Sequence, residues 1–124
     1  MKAFEAEYVL AEDKVMVFQT DLQERITSAN HYFAEASGYG ELELIGAPHQ
    51  GLHHPDLPRG VMRDLASTLQ AGLAWMGLLK CRRKNGGYFW VRASATPLRE
   101  EGALVAYLWL CSKPAPITMV RAAA

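Results

Sequence analysis

Two long apolar-rich runs, "WMGLLKCRRK" and "YFWVRASATP", flank the tripeptide "NGG" at residues 85–87. Asn-Gly between β-rich runs is the strongest short hairpin signal, because its residues accept the positive φ values of the tightest turns. A second turn, "REEG", leads into "ALVAYLWLCS", a run with almost no polar face. A strand of that kind belongs in the middle of a sheet, and the pattern predicts burial on both of its sides. Three successive long strands at the end of a short chain leave few architectures open.

The upstream half reads differently. Apolar residues at Phe4, Tyr8 and Val9 have helix-like spacing and predict a helical segment over residues 3–12. "VMVFQTD" reads as a strand, "LQER" as a polar turn and "ITSA" as the second strand of a hairpin. Asn30 is placed to cap the helix "HYFAEAS", and Gly38 to stop it in the left-handed conformation. "GELELIG" is a further short helical turn. In "RGVMRDLASTLQAG", Val61, Met62, Leu65 and Leu69 share one face, which predicts a longer amphipathic helix over residues 59–71. Two strands, short helices, one longer helix and three long strands make an α+β chain, with an antiparallel sheet and its helices on one face.

Size and charge narrow the function classes. The 124 residues suit one domain with one core, and there is no repeat, low-complexity segment or second domain. Thirteen basic residues balance thirteen acidic ones, which argues against binding a phosphate backbone. No apolar run is long enough to cross a bilayer, and the acidic start does not read as a signal peptide. Cys81 and Cys111 belong to no paired motif, so a reduced, cytoplasmic protein is expected. The basic "KCRRK" beside the hairpin turn reads as a solvated tip.

"LHHPDLP", residues 52–58, concentrates the titratable groups. His53, His54 and Asp56 are legitimate metal-ligand types, but adjacent histidines diverge and no partner motif accompanies them, so no metal site is predicted. No nucleophile elbow accompanies the His–Asp pair, so no catalytic residue and no enzyme activity is predicted. The stretch reads first as a helix start, with Asp56 as N-cap and Pro58 in the first turn.

The phrases "ITSAN", "SGY", "ELIGAPH", "HPDLP" and "RRKNG" occur in an order and at a spacing that resemble the PAS domain of bacterial aerotaxis (Aer-type) receptors. The resemblance covers roughly residues 15–112, leaving 1–14 as an N-terminal helical cap and 113–124 as a tail or linker. It implies a five-stranded antiparallel sheet faced by short helices and one longer helix, with a ligand pocket between them. It also implies a sensory domain that holds FAD and reports redox state or oxygen to the signalling domain of a chemotaxis-type transducer, on the cytoplasmic side and as a homodimer.

The cofactor-binding positions implied are Asn30, His54, Asp56, Asp64 and Trp75. Three further positions depart from the family pattern: His53 replaces an arginine, and Cys81 and Ser94 each replace an asparagine. The exchange at His53 gives up a permanent forked charge, and the other two give up amides that donate and accept at once. Haem is the alternative group: the resemblance then gives Trp109 on the last strand a role beside bound oxygen, with His49, His53 or His54 as the axial ligand. A cofactor-free dimerisation or relay module is the other reading. Cys81 and Cys111 are expected ~10 Å apart with a strand between them, too far for a disulfide.

Overall fold

The computed structural model describes residues 5–115. Its strands are β1 (Met16–Thr20), β2 (Ile26–Ala29), β3 (Trp75–Arg82), β4 (Tyr88–Glu100) and β5 (Ala103–Ser112). Its helices are α1 (His31–Ser37), α2 (Glu41–Leu44), a 3-10 turn η1 (His49–Leu52) and α3 (Arg59–Gln70). The strands form one antiparallel sheet in the order β2-β1-β5-β4-β3. This is the α+β arrangement the element order predicts, and β5 is central as its apolar sequence requires.

The alternation in β1 buries Met16, Phe18 and Thr20 on one face. The same face of β5 carries Tyr107, Trp109 and Cys111, and that of β4 carries Phe89, Val91, Ala93 and Ala95. Helices cover this face only. The expectation that β5 is buried on both sides therefore fails: Leu110 on the other face is 42% exposed, and on the same face of β3, beyond β4, Met76 is 63% exposed. A strand can be apolar on both faces while the described residues supply only one layer to cover it.

Asn30 caps α1 as predicted, its side chain accepting from the Phe33 amide, and Gly38 ends the helix at φ 79°. Tyr107 donates its hydroxyl to the Leu69 carbonyl at 2.8 Å, tying the end of α3 to the central strand. At Gly77 a Cβ would lie 2.7 Å from the Trp75 ring, so the missing side chain lets that indole lie over the strand.

Two expectations are corrected. Among the described residues of the N-terminal segment no helix forms. Ala6 and Tyr8 instead exchange backbone hydrogen bonds with Tyr88, so the segment joins the start of β4. Nor is Asp56 the cap of α3: Pro58 holds that position, with no side-chain cap hydrogen bond. The tail from residue 116 onward lies outside the described residues.

Candidate functional site

The inner face of the sheet carries a cluster of flat rings. Phe18 and Trp109 are register partners on β1 and β5, and their rings stack at 5.5 Å with 5° between planes. Phe33 of α1 tilts onto Phe18 at 4.4 Å. His49, the first residue of η1, packs against Trp109 at 4.4 Å and Phe18 at 5.2 Å. His53 meets His49 edge-on at 4.5 Å. Trp109 is wholly buried and donates its indole N–H to Thr20 Oγ1 at 3.2 Å.

Both imidazoles are neutral here. Burial pushes His53 down to about 4, while burial together with the adjoining His53 pushes His49 well below its ordinary value. Three ring nitrogens in the cluster, His49 Nδ1 and both nitrogens of His53, are buried without a hydrogen-bond partner among the described residues. Unpaired buried polar atoms are uncommon and costly, so they mark a place where the interior is not satisfied by itself.

Cys81 and Cys111 line the same cavity as His49, Phe18 and Phe33. Burial raises the Cys81 thiol to about 12 and Cys111 well above its usual range, so both are neutral. Both are free, and β4 runs between their strands, as the strand order predicts. The cavity volume is about 10 Å³. That is room for roughly one water, against the ~300 Å³ or more of a typical ligand pocket.

The other expected positions are not gathered here. Asn30 spends its amide on the α1 cap and on the Val15 carbonyl at 2.9 Å. Asp64 accepts the Trp75 indole N–H at 2.9 Å, joining α3 to β3. Ser94 lies on the opposite face of the sheet, lining a groove with Val15, Met76 and Leu110. The alternation of β4 puts it there, because Ala93 and Ala95 take the inner positions.

His54 is buried at the edge of β3, where its amide donates to the Lys80 carbonyl. Its Nδ1 accepts from the Asp56 amide at 3.0 Å, so Nε2 carries the proton and donates to Glu5 Oε1 at 2.9 Å. The Asp56 carboxylate pairs with Lys80 at 3.2 Å. Glu5, His54 and Asp56 come close enough to hold a cation. Both imidazole nitrogens are already committed to this hydrogen-bonded chain, however, and Lys80 supplies its positive charge.

The basic hairpin tip is not merely solvated. Arg83 donates to the Ala36 carbonyl at 2.6 Å and lies 4.3 Å over the Tyr8 ring, while Lys84 holds the Glu43 carboxylate at 2.8 Å. The tip therefore clamps α1, α2 and the N-terminal segment.

The structure thus brings together His49, His53, Cys81 and Trp109. It adds Phe18, Thr20, Phe33 and Cys111, which sequence reasoning did not place at the site. The period-two alternation of "MVFQT" was the available signal for Phe18 and Thr20. Nothing in the sequence distinguishes Phe33 from an ordinary core residue.

The donor chemistry of this cluster suits a heteroaromatic ring edge, since neutral imidazoles donate and accept. The packing does not: a tricyclic isoalloxazine does not fit the space as it stands. Room for it requires the rings of Phe18, His49 and Trp109 to part.

Comparison with known proteins agrees with the sheet and with the helical layer over it. A family model described as PAS fold matches residues 26–110. The chain is 46% identical over 99 residues to the aerotaxis receptor of Escherichia coli strain K12, covering 80% of this chain and 20% of the receptor. It is 30% identical to the nitrogen fixation regulatory protein of Klebsiella pneumoniae, covering 76% of this chain and 19% of that protein. The chain therefore spans about a fifth of the length of these curated relatives. Among solved structures, a light-oxygen-voltage domain characterised with a flavin analogue superimposes with a TM-score of 0.78 at 24% identity, covering 86% of this chain and 82% of that one. The PAS domain of a Colwellia psychrerythraea protein superimposes with a TM-score of 0.71 at 24% identity, covering 81% of this chain and 86% of that one. The matched span, the strand order and the helices on a single face agree, and the chain belongs to the PAS fold family.

Proposed function

We propose that this domain is the sensory module of a signal transducer of the aerotaxis-receptor kind, and that its interior takes FAD as the sensing group. The observation that carries the reading is the set of unpaired imidazole nitrogens of His49 and His53, buried between sheet and helices. The 46% identity to an aerotaxis receptor supports it. FAD when bound would supply a redox-active ring. His49 and His53 would hold its polar edge through their unpaired ring nitrogens, and Cys81 and Cys111 would line the cavity as neutral thiols. Haem is the alternative group. The partners proposed are a second copy of the domain and the signalling part of a longer receptor or a separate transducer, on the cytoplasmic side of the membrane.

A second reading, a cofactor-free dimerisation or relay module, is favoured by the cavity of about 10 Å³. The committed groups of Asn30, Asp64 and Trp109 favour it too. The absorbance spectrum of the purified protein, before and after reconstitution with FAD and with haem, separates the readings. Visible flavin bands are the expected result. A Soret band would replace FAD by haem. A spectrum with neither, under every condition, leaves the relay module.

A further inference from the structure

The segment carrying His49 and His53 is held to the sheet by its backbone, while its two inward side chains contribute no hydrogen bond through three of their nitrogens. The His49 amide donates to the Glu24 carbonyl at 2.8 Å and the His54 amide to the Lys80 carbonyl at 2.8 Å. His53 bridges Cys81 at the edge of β3. These few bonds close the layer over the ring cluster.

The titratable and charged groups around the pair offer no compensation, and the adjoining His54 turns away to Glu5 and the Asp56 amide. Glu24, on the turn before β2, is held by the Gln50 side chain, and burial raises its carboxyl. Cys81 on β3 and Cys111 on β5 are neutral thiols. Arg82 at the end of β3 lines the same cavity and is positive. Phe18, Phe33 and Trp109 fill the remaining sides with rings. A cationic imidazole placed here would be desolvated, unpaired, and beside a second imidazole. Burying an unpaired charge costs several kcal/mol, so the group stays neutral or leaves.

We infer that residues 49–54 form a proton-operated gate on the interior: uptake of protons by His49 and His53 requires the segment to leave the sheet, so acidification opens the core. The direction follows from linkage. Imidazoles held neutral in the closed state favour closure above about pH 6.5; for His53 that advantage is lost as pH falls toward about 4, and His49, also pushed down by burial, acts in the same direction. Opening that takes up two protons becomes about a hundredfold more favourable per pH unit within that window, and one proton gives about tenfold. The gate is a property of the domain without a bound group, so its test is distinct from the absorbance test of the FAD reading.

Native-state hydrogen exchange on the protein, with intrinsic rates corrected for pH, tests it. Between about pH 6 and pH 4.5, the opening constants of the Gly51, His53 and His54 amides are expected to rise by more than tenfold per pH unit. Amides of β4 and β5 are expected to rise less. His49→Phe or His53→Phe is expected to reduce the dependence to about tenfold, and the double variant to abolish it. Equal pH dependence across segment and sheet, or a dependence that survives the double variant, overturns the gate. If the variants do not fold, NMR titration of the wild-type imidazoles decides. Both are expected to titrate well below the ordinary histidine value, and either one titrating at that value with the core closed overturns the proposal.

Discussion

Trp109 and Thr20 satisfy each other in a place no water reaches. Replacing Trp109 by Phe removes the indole donor and leaves the Thr20 hydroxyl buried with one partner fewer. The expected cost is about 1–3 kcal/mol, read from the urea midpoint, and a smaller loss is expected for Trp109→Phe combined with Thr20→Val. The two cysteines give a second test at this scale. With both thiols buried and their ionisation pushed up, neither is expected to react with a thiol reagent at about pH 8 in the folded protein, and both are expected to react in denaturant. Labelling of either in the native state would place it at the surface. The adjacent histidines show how residue type and residue role separate. His54 has both ring nitrogens committed and His53 has neither, although they are neighbours with the same side chain. The resemblance kept His54 as a matched position and counted His53 as a departure, and the backbone direction that sends His53 inward and His54 to the edge of β3 is not written in the pair.

At the scale of elements, the caps and the hairpin were legible. Asn30 and Gly38 bound α1 where local chemistry predicts, since a cap depends on residues within one turn. Asn30→Ala removes the cap and the bond to Val15, and is expected to cost about 1–2 kcal/mol in urea unfolding. Asn30→Asp, which keeps the cap acceptor but loses the Val15 donor, is expected to cost less. The start of α3 at Arg59 was legible, but its cap was not. Asp56 has the right chemistry for a cap, but its carboxylate pairs with Lys80 across the edge of the sheet. The N-terminal segment failed for a similar reason. Its helix-like spacing is real, but the open backbone groups of Tyr88 offer it a ladder instead. A local periodicity loses when a long-range partner satisfies the same backbone groups.

The whole molecule leaves one layer uncovered. The face carrying Val15, Met76 and Leu110 forms a groove of about 290 Å³, open to solvent among the described residues. Leu110→Gln is expected to change the stability of the isolated chain by about 1 kcal/mol or less, because the side chain is 42% exposed on the uncovered face. If the proposed homodimer uses this face, the same variant shifts sedimentation toward the monomer. Unchanged sedimentation removes the face from the interface.

What the chain determined by itself is local or periodic: the Asn-Gly hairpin, the alternation of β1 and β4, the capped α1, the amphipathic α3 and the central place of β5. Each follows from contacts within a few residues or from a single repeating pattern, and together with the quoted phrases they were enough to reach the PAS fold. The tertiary structure alone decided which candidates share a space. Ser94 went to the far face through strand alternation, and Asn30 and Asp64 were taken up by bonds between elements. His49 and His53 were enclosed beside Phe18 and Trp109, because β1 and β5 are neighbours and η1 lies over them. Which groups remain without a partner depends on every element at once, so those unpaired nitrogens appear only when the chain is folded.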